Sequence, residues 1–270
     1  MTSVKVLYFI IRSMPAYKVR QQTLRKVPEI TAIFWVAKIL TTAMGEATSD
    51  FFVFKINPYA AVILGGVALV AALTLQLRAR RYVPWIYWLT VAMVAVFGTM
   101  AADVLHIQFH VPYVASTTFF AVVLALVFVT WQRSEKTLSI HSINTQRREL
   151  FYWATVLATF ALGTATGDLT ATTVGLGYFS SGWLFAGLIA LPALAYWLFN
   201  LNEIVAFWLA YILTRPLGAS FADWAGKAHS VGGLGKGDGH VSVFLTLLII
   251  ICVAYMTSSH REMKRERTAP

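Results

Sequence analysis

"WATVLATFALGTATGD", residues 153–168, is an apolar run that ends on an aspartate, the one ionisable side chain in it. Nine residues separate Trp153 from Gly163, and four separate Gly163 from Asp168. The same spacing recurs, without a gap, at Trp35, Gly45 and Asp50, at Trp88, Gly98 and Asp103, and at Trp208, Gly218 and Asp223. Trp and Asp are both uncommon in such a chain, so coincidence is a poor account of four matches. Self-similarity at a fixed period is the mark of a repeat architecture. A tyrosine follows the first three aspartates, at Tyr59, Tyr113 and Tyr178. The fourth copy has the glycine-rich stretch "GGLGKGDG", residues 232–239, in that place.

Outward from the motif, the chain is a membrane protein. Of its 270 residues 58% are hydrophobic and only 13% charged, with a mean hydropathy of +0.65. Backbone groups in lipid must bond within the protein, which leaves helices or a closed barrel. The apolar runs are continuous rather than alternating, so helices are expected. We place eight spans at about 30–50, 58–77, 84–104, 112–132, 150–171, 178–199, 203–224 and 240–258, each long enough for a hydrocarbon core of about 30 Å. The fold class is therefore all-α, with eight transmembrane helices arranged as four parallel two-helix repeats. The domain plan is a basic N-terminal segment at 1–28, one transmembrane domain at 29–258, and a basic tail at 259–270. The repeats fall at about 29–77, 82–132, 147–199 and 202–258. The N-terminal segment reads as a short amphipathic surface helix without a cleavable leader.

Charge sets the expected orientation. Seventeen Lys and Arg lie on the side of the termini and only Lys55, Lys227 and Lys236 lie opposite; Lys38 and Arg215 fall inside apolar runs. The positive-inside rule then places both termini in the cytoplasm of a bacterial inner membrane. The sequence pI near 9.8 is explained by these flanks, and no nucleic-acid partner is expected. A single cysteine, Cys252, excludes a disulfide framework and a thiolate metal site. No serine-hydrolase or zinc-protease pattern occurs, so the chain is not expected to be an enzyme. The Trp residues read as interface anchors and the motif glycines as packing positions.

Two spans per repeat give all four copies one orientation, so the four aspartates share one depth. Trp to Asp is 15 residues, roughly 22 Å at the helical rise, which puts Asp in the outer half of the membrane. At this point the chain resembles a family of bacterial inner-membrane proteins built from four tandem copies of a repeat of unknown function, uncharacterised membrane-anchored proteins with two spans and a Trp in each copy. The stretches that carry the resemblance are "KVPEITAIFWVAKILTTAMGEATSD", "FYWATVLATFALGTATGDLTATTVGLGY" and "FWLAYILTRPLGASFADW". It covers roughly residues 26 to 258 and implies the architecture but no substrate. Repeat 2 departs from it in "DVLHIQFHVPY", where two His stand in place of a glycine-containing loop.

Positions four apart share a helix face. Lys38, Thr42, Glu46 and Asp50 form one polar stripe, and Tyr211, Arg215 and Asp223 form another with Ala219 between them. Thr99 with Asp103, and Thr164 with Asp168, are shorter versions. Charge in the bilayer is costly, so the stripes are expected to face a shared interior. Five acids, Glu46, Asp50, Asp103, Asp168 and Asp223, face two bases, Lys38 and Arg215. The surplus carboxylates need protons or a cation. Carboxylates with Thr hydroxyls suit a hard divalent cation such as Mn²⁺, and participation of His106 would favour Mn²⁺ or a later metal. No organic cofactor is called for. The expected function is a secondary transporter of a divalent metal, manganese by preference, coupled to protons; a cation channel and a non-transporting membrane sensor or scaffold are the alternatives. Glu46, the fifth acid, is the most telling residue, and Glu46→Gln is expected to stop transport with the fold intact. A purely structural account makes the aspartates helix caps and pairs Lys38 with Glu46 and Arg215 with Asp223. The lipid bilayer and the cation are the expected partners; the oligomeric state is open. The glycine-rich stretch reads as a connector, with a gate as the alternative.

Overall fold

The computed structural model describes residues 25–268; the surface helix expected in the N-terminal segment lies outside them. Eight long helices are present and, among the described residues, no strand. They are α1 (Ala32–Lys55), α2 (Pro58–Arg78), α3 (Pro84–Ile107), α4 (Tyr113–Glu135), α5 (Gln146–Asp168), α6 (Gly177–Phe199), α7 (Glu203–Gly226) and α8 (Asp238–Thr268). Local chemistry sets their starts. Thr31, Asn57, Thr145 and Asn202 cap α1, α2, α5 and α7 with side-chain oxygens, which satisfy amides that have no partner inside the helix. Pro58 and Pro84 begin α2 and α3, where proline loses no bond. Seven of the eight are long and apolar enough to cross a membrane, and the chain is a multi-pass membrane protein. The helix that falls short is α1, which carries Lys38, Glu46 and Asp50. It is also one of the best covered, with all three of those side chains buried.

The odd-numbered helices carry the motif and form an inner ring. α1 packs on α3, α3 on α5, α5 on α7, and α7 returns to α1. The motif glycines make the crossings. Gly45 lies on Ala95, Gly98 on Phe160, Gly163 on Arg215 and Gly218 on Thr42. Each partner stands three residues before the glycine of its own repeat, so the four crossings are one crossing repeated about an axis. Close backbone approach through small residues is how helices associate in lipid, where the hydrophobic effect gives no drive between them. A Cβ on Gly45 would lie 2.5 Å from the Ala95 Cβ and 2.9 Å from its carbonyl carbon. Neither atom has a rotamer to move. Gly45→Ala is therefore expected to cost about 1–3 kcal/mol through overpacking, read as a lower melting temperature in detergent.

The even-numbered helices form the outer ring. Each second helix packs mainly on the motif helix of the next repeat: α2 on α3, α4 on α5, α6 on α7, and α8 on α1. Their outward faces expose apolar side chains such as Leu64, Val67, Phe119, Leu126, Phe244 and Ile251, as lipid contact requires. The starts of the motif helices gather at one end. There the expectation of interfacial tryptophans fails, because Trp88, Trp153 and Trp208 are buried in an aromatic core with Phe34, Tyr87 and Tyr152, and Trp35 packs against it. Ring closure brings these large side chains to the axis, where packing covers them and no lipid can touch them. Lys26, which counts in sequence as a surface charge, is buried at this end too. Its Nζ donates to Glu149 Oε2 at 2.5 Å and to the Leu77 carbonyl at 3.1 Å, while Gln76 Nε2 donates to Glu149 Oε1 at 2.8 Å.

Candidate functional site

The four motif aspartates meet at the opposite end of the inner ring. Asp50, Asp103 and Asp223 are buried and Asp168 is partly so. One carboxylate oxygen each from Glu46, Asp168 and Asp223 lies within 4.8 Å of the other two. These residues come from repeats 1, 3 and 4, so the cluster is made by the ring and by no single repeat. Asp103 adjoins it from repeat 2 and accepts a bond from Ser49 Oγ at 3.0 Å. None of the four aspartate side chains caps its own helix in the described hydrogen bonds, which leaves the capping account without support. Asp168 is the least committed of the set: among the described residues its carboxylate has neither a hydrogen bond nor an ion pair.

One turn further in, a layer of polar side chains surrounds Arg215. Its guanidinium donates to Glu46 Oε2 at 2.6 Å, to Thr164 Oγ1 at 2.6 Å, to Thr99 Oγ1, and to the Thr42 carbonyl at 3.2 Å. Glu46, Thr99 and Thr164 are equivalent positions of repeats 1, 2 and 3. The fourth equivalent, Ala219, has no polar group, and the guanidinium completes the layer. Arg215 is 0% exposed. It is thus a plug across the axis, bonded to all three other repeats.

The pairs anticipated from spacing are not the pairs formed. Glu46 bonds to Arg215, not Lys38. Asp223 lies 3.8 Å from Lys227 Nζ, and Asp50 accepts directly from the same ammonium. Residues eight apart on one helix are about 12 Å apart along its axis, too far for Lys38 to reach Glu46. Lys38 instead points away from the acids, 1% exposed. Its Nζ stands 4.2 Å from the Phe160 ring centroid and 4.3 Å from that of Tyr211, with no hydrogen-bond partner among the described residues. Aromatic faces attract a cation.

Lys227 is the site residue that sequence reading misses. It stands just past the apolar run and counts there as a loop charge. The available signal is its position four residues after Asp223, on the same helix face. Burial works against its charge, but the carboxylates of Asp223, Asp50 and Asp238 outweigh burial and raise the ammonium above the ordinary lysine range. His106 is not brought into the cluster. Its Nδ1 bonds the Val111 carbonyl at 2.9 Å and its Nε2 meets Ser116 Oγ at 3.2 Å.

The charges do not balance. Five carboxylates meet two cations, Arg215 and Lys227, that touch them. Two full charges 4.8 Å apart repel by about 3 kcal/mol at an effective dielectric near 20. A proton or a cation relieves that repulsion, and an all-oxygen set suits a hard ion.

The family model described as "Repeat of Unknown Function (DUF347)" matches the chain four times, at residues 33–82, 86–137, 151–201 and 206–262. Comparison with curated proteins and with solved structures finds no match.

Proposed function

This chain belongs to the DUF347 repeat family, whose description names no activity, and from the placement of its acids we propose a secondary transporter of a hard divalent cation. The observation that carries the proposal is the convergence of Glu46, Asp168 and Asp223 from three repeats to within 4.8 Å. Asp50, Asp103 and the Thr99 and Thr164 hydroxyls surround them with further oxygens. Manganese is the preferred substrate, and protons are the coupled ion. Binding a divalent cation to carboxylates releases whatever protons they hold, which supplies the physical route for exchange. The charge asymmetry of the flanks orients the acidic end outward and both termini in the cytoplasm. The Arg215 plug favours a transporter over a channel, since a cation can pass it only when the layer rearranges.

Asp168→Asn is the decisive variant, because its carboxylate holds nothing together among the described residues. Reconstituted in proteoliposomes with a pH gradient, the wild type is expected to move Mn²⁺. Asp168→Asn is expected to fold normally and to lose flux. Wild-type flux in that variant would end this mechanism.

A further inference from the structure

Only repeat 4 sets a cation four residues after its motif aspartate. The positions equivalent to Lys227 are Phe54, Ile107 and Thr172. The chain then folds back on itself. Leu234 N bonds the Trp224 carbonyl at 2.6 Å, Lys236 N bonds Ala225 at 3.1 Å, Gly237 N bonds Gly226 at 3.1 Å, and Gly235 N bonds Lys227 at 2.8 Å. Four loop amides thus take four carbonyls at the end of α7, groups that a helix terminus otherwise leaves unmet. The glycines are what permit it. Gly232, Gly235 and Gly237 have φ of 85°, 66° and 82°, a region most side chains avoid. A Cβ on Gly233 would overlap the Lys227 carbonyl. "GGLGKGDG" is not a slack connector, since these amides are used. It is a clamp on the residue that carries the ammonium.

We propose that Lys227 is a tethered competitor for the transported cation: its ammonium sits between Asp50 and Asp223, over the Glu46–Asp168–Asp223 cluster, and an arriving ion must displace it. The inference rests on the cation reading above and adds the basis of selection. A monovalent ion gains no more from the carboxylates than the ammonium it removes. A divalent ion gains twice the charge, so it wins where sodium does not. The lysine keeps its proton and its tether and swings aside. The Phe54 ring, whose centroid is 5.0 Å from Nζ, offers a face beside the mouth for the displaced cation.

The test is binding of Mn²⁺ and of Na⁺ to the full chain in nanodiscs, by calorimetry. Lys227→Met keeps the length and removes the charge. It is expected to bind Mn²⁺ roughly ten-fold tighter than wild type, as loss of a competing close charge allows, and to begin binding Na⁺. Lys227→Arg is expected to behave as wild type. Gly233→Ala keeps the lysine but opens the clamp, and is expected to tighten Mn²⁺ binding in the same direction. It decides the question if Lys227→Met does not fold. Wild-type binding of Mn²⁺ with no tightening in these variants overturns the tether and leaves the cation reading standing. No Mn²⁺ binding in any form overturns both.

Discussion

Glu46→Gln is expected to lower unfolding stability by about 3–5 kcal/mol, the usual cost of removing one partner from a buried ion pair. From the sequence, the same change appears harmless to the fold. The structure reverses that expectation because Glu46, 2% exposed, is the carboxylate facing a guanidinium that is 0% exposed. Glutamine keeps an acceptor but not the charge, so the buried guanidinium is left with neutral oxygens alone: the amide, two threonine hydroxyls and one carbonyl. The double variant Glu46→Met with Arg215→Met is expected to recover most of the loss, since replacing a whole buried pair by apolar groups is often neutral. Denaturant titration of the detergent-solubilised protein measures both. A single variant as stable as wild type would show that Arg215 does not need this partner. Lost flux in Glu46→Gln therefore says little about transport unless stability is measured beside it.

Glu149→Leu is expected to have a comparable effect, about 3–5 kcal/mol, at the other end of the molecule. Glu149 is 0% exposed and Lys26 is 7% exposed. Their bond, with Gln76, joins the segment before α1, the end of α2 and the start of α5. Leucine would leave the Lys26 ammonium with one carbonyl. Because the loss is local to this junction, residues 25–31 ahead of α1 are expected to become more open to limited proteolysis, while the proposed cation site at the acidic end is expected to be unaffected. Pairing Glu149→Leu with Lys26→Met should restore protection. An unchanged cleavage pattern in Glu149→Leu would count against the junction.

How much of this was legible in the sequence depends on whether a feature is repeated. The motif spacing gave four equivalent helices, one depth for the aspartates and a shared interior, because a rule applied four times leaves few arrangements. What breaks the repeat was harder to read. A helical wheel shows which residues share a face of one helix, but Glu46 finds its cation on another helix, and only the crossing angle decides which one. Lys227 was hidden by its position beyond the apolar run, although its spacing from Asp223 was visible. The tryptophans misled for a related reason. Their usual place in membrane helices is the interface, and only closure of the ring turns Trp88, Trp153 and Trp208 inward.

Ring closure also bears on the order in which the chain is made. Each second helix rests mainly on the next repeat, so a ribosome delivers most contacts between neighbours in turn, and the contacts of α7 and α8 with α1 are the exceptions. Of the eight described helices, the one too polar to pass as a span is thus made first and covered last. Until α7 and the residue after it emerge, Lys38, Glu46 and Asp50 of α1 lack Tyr211, Arg215 and Lys227, and a polar helix waiting in lipid is costly. Insertion of this protein is therefore expected to include a step in which α1 stays sheltered from lipid until α7 closes the ring. Chains truncated before α7 are predicted to be degraded faster in the membrane than the full chain, as pulse-chase labelling would show.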